Sequence, residues 1–341
     1  MKHMQRLVLL ALALALTLAI PVNAAASKKN DTTKEAADEQ AVYASLEIAE
    51  STDFDATVTG DELTAVCKEL FKKPANIIAD KEVTWQQAVC ETARAAGILP
   101  ELTPESQKDP KKIKTPIVEY DDEQAFEFLK NAGKELKVWN RTEFQDNDTG
   151  MSKMELLAFT KDLTDYLRKN KSDNYGFGYV DVQYTHDKHS EAQLGTVWAG
   201  LIQTPFEILR EFRVQKYHIE IRTNPQAVGK TLFSEEKTTI WVYNIYDGCE
   251  LSRTMSYFLN YICGVDENAL AGIFEAEKNA GMQLTCDKAG QNQDELFAEI
   301  FAYYTVNQND DEAMQKLAQA MPKMAELFSN EIANDWYIPV G

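Results

Sequence analysis

The chain has 341 residues, of which 54 are acidic and 35 basic, so its formal net charge at pH 7 is −19. Nucleic acids and anionic lipids are bound through clustered Lys and Arg, and so acidic a balance argues against both as partners. The length is sufficient for a substantial buried core and for two domains.

Residues 1–24 have the pattern of a secretory signal peptide. Lys2 and Arg6 precede an apolar run over 7–20, and small residues then lead to Ala24, where we expect cleavage, or alternatively two residues later. The run is too short for a comfortable membrane span, and no other segment is apolar enough to cross a bilayer. The sequence therefore predicts an exported, soluble protein without a membrane span, with a net charge of −21 once the two basic residues are removed.

Composition divides the mature chain into five segments. These are a flexible tether (25–58), a small helical unit (59–99), a linker rich in Pro and Lys (100–118), an α/β region (119–199) and a C-terminal domain (200–341). In the helical unit, residues 84–89 followed by 95–99 loosely resemble a repeat that anchors proteins to the cell envelope, present as one copy.

Apolar spacing and capping residues predict the secondary structure. Ser152 and Glu155 form a capping box before one helix, and Thr204-Pro205 marks the start of another. The predicted elements, in chain order, are helices over 61–71, 84–96, 121–134 and 152–171, a strand over 177–185, a helix over 204–213, strands over 218–222 and 238–243, and helices from 249, over 267–279, over 293–304 and over 313–331, the last broken at Pro322. The fold class is therefore α+β and mainly helical.

Five cysteines in an exported chain suggest disulfides, with one thiol left over. The simplest pairing joins Cys67 to Cys90 and Cys263 to Cys286, which leaves Cys249 free. All five could equally be reduced and buried.

Two motifs in the C-terminal domain have the spacing of a zinc peptidase site. In a zincin, one helix carries His-Glu-x-x-His, in which the histidines hold the metal and the glutamate is the general base. Here residues 249–253 read Cys-Glu-Leu-Ser-Arg, and Glu-Leu-Phe-Ala-Glu follows over 295–299. The glutamate is kept and both histidines are replaced.

These motifs and the order of elements over about 200–338 resemble the catalytic domain of the anthrax lethal factor family of secreted zinc peptidases, which are gluzincins. The resemblance implies a zincin-like domain with a small sheet and a motif helix packed against a glutamate-bearing helix. It also implies that Glu250 corresponds to the general base, Glu295 to the third zinc ligand, and Glu299, one turn on, to the neighbour that supports this ligand.

The departures from this pattern decide whether zinc can be held. Cys249 and Arg253 replace the two histidines, and Lys288 stands about where such enzymes have an oxyanion-stabilising tyrosine. A thiolate can bind zinc, whereas a guanidinium has no lone pair to donate and stays protonated. Buried carboxylates left without a cation are costly, so we expect Arg253 to pair with Glu295, and also with Glu250, in place of the metal.

Two functions follow from this pattern. The first is an exported pseudo-peptidase without a cofactor, which holds a peptide or protein partner in the vestigial cleft by strand addition, with 238–243 as the expected edge strand. The second is an active secreted metallopeptidase with a nonstandard zinc site, in which Cys249 and Glu295 bind the metal and Glu250 is the base. The aromatic side chains around the motif are expected to be core packing: Tyr243, Tyr246, Tyr257, Phe258 and Tyr261.

Overall fold

A computed structural model describes residues 53–108, 116–170, 175–222, 229–263, 265 and 267–336. The predicted signal peptide and nearly all of the tether lie outside these residues. The described chain is α+β and mainly helical, as predicted, with four strands in one sheet. The described residues form two compact units, the first from 53–97 together with 137–170, and the second from 98–108 and 116–136 together with the described residues from 175 to 336.

The helices and strands are numbered along the chain. The helices are α1 (Gly60–Phe71), α2 (Trp85–Ala95), α3 (Asp122–Glu135), α4 (Lys153–Lys169), α5 (Lys188–Gln203), α6 (Phe206–Val214), α7 (Cys249–Phe258), α8 (Glu267–Leu284), α9 (Gln293–Asn307), α10 (Asp311–Ala320) and α11 (Pro322–Ala333). The strands are β1 (Val182–Gln183), β2 (His218–Ile221), β3 (Lys230–Ser234) and β4 (Thr239–Tyr243). None of the described helices is both long enough and apolar enough to span a membrane.

The three helices of the first unit, α1, α2 and α4, begin in the same way. Each is preceded by a hydroxyl residue (Thr59, Thr84 or Ser152) that accepts a hydrogen bond from the amide three residues on, and the side chain of that third residue reaches back to the first amide. This reciprocal capping box satisfies two backbone donors that a helix start would otherwise leave unpaired. The three starts are therefore locally well defined.

The three residues just before these caps form a closed ring of backbone hydrogen bonds. Val58 N donates to Met151 O at 2.8 Å, Met151 N donates to Val83 O at 2.9 Å, and Val83 N donates to Val58 O at 2.9 Å. All three side chains are fully buried. One apolar residue from each segment thus occupies the centre of the unit.

Two further sets of hydrogen bonds repeat this threefold pattern. In the first set, the amide two positions after each ring residue donates a hydrogen bond to the carbonyl two positions before another ring residue. The bonds run from Gly60 to Lys81 at 2.9 Å, from Trp85 to Thr149 at 2.8 Å and from Lys153 to Ala56 at 3.1 Å. In the second set, the next amide of each segment donates to a carbonyl of the same partner segment. These bonds run from Asp61 to Ala79 at 2.9 Å, from Gln86 to Asn147 at 3.0 Å and from Met154 to Phe54 at 3.0 Å. The first unit therefore consists of three equivalent segments, whereas the sequence predicted a single copy of the repeat.

This arrangement corrects two predicted boundaries. The sequence placed 137–170 in an α/β region that precedes the C-terminal domain, whereas these residues provide the third repeat of the first unit. The ring explains the difference, because Met151 is joined to two residues far from it in the chain. The predicted linker and α3 belong to the second unit instead.

The second unit contains the sheet, whose strand order is β1-β2-β4-β3. β1, β2 and β4 run parallel, and β3 is antiparallel to β4. Side chains alternate across the sheet, so that Ile219, Ile221, Ile240 and Val242 are buried on the face that also bears the motif helix. The motif helix α7 therefore packs against an apolar layer of side chains on this face of the sheet.

Two predicted elements differ from the structure. The predicted strand over 177–185 is a short 3₁₀ turn followed by only two strand residues, Val182 and Gln183. The turn holds Gly176 at φ +53°, where a Cβ atom would lie 2.1 Å from the Trp198 ring. β3 was not predicted, because its five residues are bounded by polar turns and have little apolar alternation.

The cysteine pairing predicted from the sequence is also corrected. Cys67 is a buried thiol whose Sγ donates to Thr92 Oγ1 at 3.7 Å rather than a disulfide partner of Cys90. Cys286 and Cys249 are likewise thiols, and the side chain of Cys263 lies outside the described part of the chain. The reduced alternative therefore describes the observed thiols.

Candidate functional site

The two motifs lie on neighbouring helices, α7 and α9. α7 starts directly after the loop from β4, where Gly248 lies so close to α5 that a Cβ atom would be 2.9 Å from the Gly200 Cα atom. The start of α9 is held by Asn292, whose side chain accepts a hydrogen bond from the Glu295 amide at 2.9 Å. These starts place residues 249–253 and 295–299 on facing helices.

Arg253 joins the two motifs. Its Nη1 lies 2.6 Å from Glu250 Oε1 on the same helix, and its Nε lies 2.8 Å from Glu299 Oε1 on α9. The Nε–Glu299 contact is an ion pair between a partly buried guanidinium and a buried carboxylate. Burial alone would lower the pKa of Arg253, but the two carboxylates raise it above its ordinary value. The guanidinium is therefore a fixed positive charge between both helices.

The pairing partner on α9 corrects the sequence prediction. Arg253 was expected to pair with Glu295, but the structure places Glu299 against it. Glu295 instead accepts a hydrogen bond from the Tyr257 hydroxyl at 3.1 Å. The predicted pair with Glu250 is present. The residue that the resemblance implies as a supporting neighbour thus takes the central place, and the implied zinc ligand lies beside it.

Tyr257 is a site residue that the sequence analysis missed. It was assigned to core packing, yet it lies one helical turn after Arg253 on α7, a spacing that puts two side chains on one face. Burial and the negative charge of Glu295 raise the pKa of its hydroxyl well above the ordinary range. It is therefore a neutral donor to Glu295. Lys288, the expected counterpart of the catalytic tyrosine, is exposed in the 3₁₀ turn Asp287–Gly290.

Cys249 is held as a neutral thiol. Burial raises its pKa to about 12, and the nearby Asp247 and Glu250 carboxylates add to the shift although Arg253 opposes it. The Asp247 carboxylate also accepts a hydrogen bond from the Cys249 amide at 3.0 Å, at the start of α7. A thiol with this pKa is a weak nucleophile and a weak metal ligand, since both activities need the thiolate.

The side chains at the motif do not fit a zinc ion. A zinc site needs several electron-pair donors directed at one point. Arg253, in place of the second histidine, can only donate hydrogen bonds. Within the described ranges, His, Cys, Asp and Glu side chains form no group of three or more that could hold a metal ion. The arrangement instead satisfies two carboxylates with a guanidinium.

The edge of the sheet beside α7 is β3. The sequence analysis assigned the edge to 238–243, but β4 lies between β2 and β3. Among the described residues β3 pairs only with β4, and the Thr231 hydroxyl donates to the Glu250 carbonyl at 2.9 Å, which joins this edge to the motif helix. The correction follows from the antiparallel return of a strand that has little sequence signal.

Four of the five aromatic side chains that were expected to be core packing are only partly buried or are exposed, which corrects their assignment to the core. Tyr261 is 62% exposed in the π-helical turn Leu259–Cys263, and Tyr246 is 44% exposed. Tyr261 lies 5.9 Å from the Phe233 ring, and Leu232 on β3 is 48% exposed. Of the predicted core group, Phe258 is fully buried. Because successive strand residues point to opposite faces, partly exposed apolar side chains lie on both faces of β3.

No family model matches this chain, and no curated protein matches it. Among solved structures, the chain is similar to the Pro-Pro endopeptidase PPEP-2 from Paenibacillus alvei, with a TM-score of 0.33 and 17% sequence identity. The alignment covers 44% of this chain and 95% of the endopeptidase. A similarity of this size carries no argument about the site, whose interpretation rests on the geometry above.

Proposed function

We propose that the second unit is a pseudo-peptidase that binds an extended peptide and does not use zinc to cleave it. The observation that carries this proposal is the Arg253 guanidinium, 2.6 Å from Glu250 and 2.8 Å from Glu299. It neutralises carboxylates that a divalent cation would neutralise in a zincin. Glu250 and Glu295 correspond to the base and third ligand in the lethal factor resemblance and are vestigial in this proposal.

The charge of Arg253 also opposes zinc directly. A guanidinium cannot lose its proton in a protein, so a metal ion at the motif would face a fixed like charge. Moving Arg253 away would leave Glu299, which is 2% exposed, without its cation. Breaking a buried pair in this way is strongly unfavourable.

The peptide-binding surface in this proposal is the edge of β3 that pairs with no other described strand. Gly229 N donates to Asn244 O, and the register pairs Lys230 with Tyr243 and Leu232 with Trp241. Because antiparallel pairs alternate between bonded and non-bonded positions, the amide and carbonyl of Leu232 point away from β4. Such an edge accepts an added strand, and the formal charge of −19 disfavours a second copy of this chain as that strand.

Zinc titration by calorimetry on the mature protein, residues 25–341, tests the loss of the metal site. We expect no binding by the wild type. The Cys249→His/Arg253→His variant restores the His-Glu-x-x-His pattern and is expected to bind zinc more tightly than either single variant. Stoichiometric binding by the wild type that is lost in Glu295→Ala and kept in the matched Asp294→Ala would refute this proposal and support the alternative zinc peptidase.

Selection from a displayed library of random peptides tests the edge. Leu232→Pro removes the amide that points away from β4. It breaks no hydrogen bond to β4, because this amide makes none, and Leu232→Ala keeps the amide. We expect selected peptides to lose affinity at least tenfold for the Pro variant and to change little for the Ala variant. Equal binding by the two variants would place the peptide elsewhere.

For the first unit we propose attachment of the exported protein to the cell envelope. The supporting observation is the threefold ring at Val58, Val83 and Met151, because the segment that resembles an envelope-anchoring repeat is the second of three equivalent segments. Export itself rests on the signal peptide pattern of residues 1–24.

Sedimentation of the mature protein with isolated envelopes of its own organism tests the attachment. Met151→Pro removes one amide of the ring, and we expect it to abolish sedimentation while the second unit still binds its selected peptide. Met151→Leu keeps the amide and serves as the control. Sedimentation of Met151→Pro at the wild-type level would contradict an attachment by this unit.

A further inference from the structure

The carboxyl group of Glu331 is the most unusual buried group in the described chain. The residue lies near the end of α11 and is 0% exposed. Both carboxyl oxygens are buried and make no hydrogen bond. A buried ionised carboxylate without a partner is strongly disfavoured, so this group is stable only when it is protonated.

The turn after α11 folds back over the end of this helix. The Trp336 amide donates to the Glu331 carbonyl at 2.7 Å, and the Trp336 ring lies 5.6 to 5.8 Å from the rings of Phe301, Tyr304 and Phe328. The turn requires left-handed backbone at two successive residues that are not glycine, Asp335 at φ +52° and Trp336 at φ +56°. This conformation is costly for each residue, so the turn depends on its ring contacts.

No charged group of the described residues is a cause of the shifted pKa of Glu331. Burial is the sole cause that raises this pKa, to about 7. Glu277 of α8 accepts the amides of Lys323 and Met324 at the start of α11, at the other end of the helix. Glu207 acts on Tyr304, whose pKa burial and this carboxylate raise to about 12. All three of these groups are acidic, so none of them can neutralise an ionised Glu331.

We propose that Glu331 is a protonation-controlled latch, which holds the Trp336 turn closed while it is neutral and releases the turn when it ionises. Ionisation brings the carboxylate out to water, and the carbonyl that anchors the Trp336 amide belongs to the same residue. The strained turn then opens and uncovers the aromatic cluster. Since a carboxyl group loses its proton as pH rises, the latch is closed in acid and open in alkali.

The latch is connected to the motif through α9. Phe297 and Phe301 of the aromatic cluster alternate on this helix with Glu295 and Glu299, two residues apart and hence on opposite faces. Opening the turn removes Trp336 from the face of α9 that lies behind the motif carboxylates. The inference is independent of the proposed function, because it concerns only the C-terminal turn.

Fluorine NMR of fluorotryptophan-labelled mature protein tests the latch. The Trp336 resonance is assigned by its absence in Trp336→Phe and followed from about pH 5 to about pH 9, around the expected midpoint. We expect the wild-type resonance to titrate near pH 7, and the Glu331→Gln resonance to stay at its acid position throughout. Glu326→Gln removes an exposed carboxylate from the same helix and is expected to titrate like the wild type.

Glu331→Leu provides a second side chain that cannot ionise, should the amide of Glu331→Gln disturb the fold. A wild-type Trp336 resonance that is constant over this range would overturn the proposal. So would a titration that persists unchanged in the folded Gln or Leu variant, because another group would then control the turn.

Discussion

The motif region and the C-terminal region each bury a glutamate, and they do so in opposite ways. Glu299 is 2% exposed and lies 2.8 Å from the Arg253 guanidinium, whereas Glu331 is 0% exposed and its carboxyl oxygens accept no hydrogen bond from the described residues. The first carboxylate has a cation beside it, and the second has none among the described residues. Burial raises the pKa of Glu331 to about 7, so this second carboxyl group responds to pH near neutrality.

Removing Arg253 should have the largest effect. Arg253→Met leaves Glu299 buried without a cation, and we expect a loss of about 3 kcal/mol in the free energy of unfolding of the second unit. Urea unfolding at neutral pH measures it. The Arg253→Met/Glu299→Gln double variant removes both charges and should recover at least half of the loss. A double variant as unstable as the single one would show that Arg253 acts by packing alone.

Neutralising Glu331 should have an effect that depends on pH. Burial raises the pKa of this carboxyl group from 4.5 to about 7 in the folded protein, so folding binds a proton in this range. Wild-type stability should therefore fall as pH rises from about 4.5 to 7 and then level off. Relative to the wild type, Glu331→Gln should gain on the order of 3 kcal/mol at pH 8 compared with pH 4, measured by urea unfolding. A difference between the two proteins that is constant with pH would contradict an ionising Glu331.

Removing the Tyr257 hydroxyl should have the smallest effect. Tyr257→Phe deletes the 3.1 Å hydrogen bond to Glu295 and keeps the ring, and we expect a loss of about 1 kcal/mol. Because Glu295 is partly exposed, water can replace the hydroxyl. Thermal unfolding beside Tyr261→Phe, which alters an exposed tyrosine near the same helix, provides the comparison. A loss above that of Arg253→Met would make Glu295, not Glu299, the central carboxylate.

The sequence predicts the helices of this molecule better than its pairings. The capping residues Ser152 and Asn292 and the apolar spacing of α7 act locally, so their helices could be located from the sequence. Whether Glu295 or Glu299 meets Arg253 depends on how α7 crosses α9. These glutamates are one turn apart on the same face, and local spacing cannot distinguish them.

The repeats and the edge strand escaped prediction for related reasons. Backbone hydrogen bonds join Met151 to Val58 and Val83, although these residues are far apart in the chain. The segment around Met151 has few residue types in common with the other two segments. The repeated feature is a capping pattern that recurs with different residues, Glu62, Gln87 and Glu155. Glu331 is likewise ordinary in sequence, and only the fold makes its position apolar.

The chain passes between its two units three times, because residues 98–136 of the second unit separate the second repeat of the first unit from its third. A single peptide-bond cut at either end of that excursion leaves all three repeats joined by their ring. Separating the two folded units would therefore require a cut at each of the three crossings. In the presence of a protease, this connectivity would keep a molecule with a single cut whole.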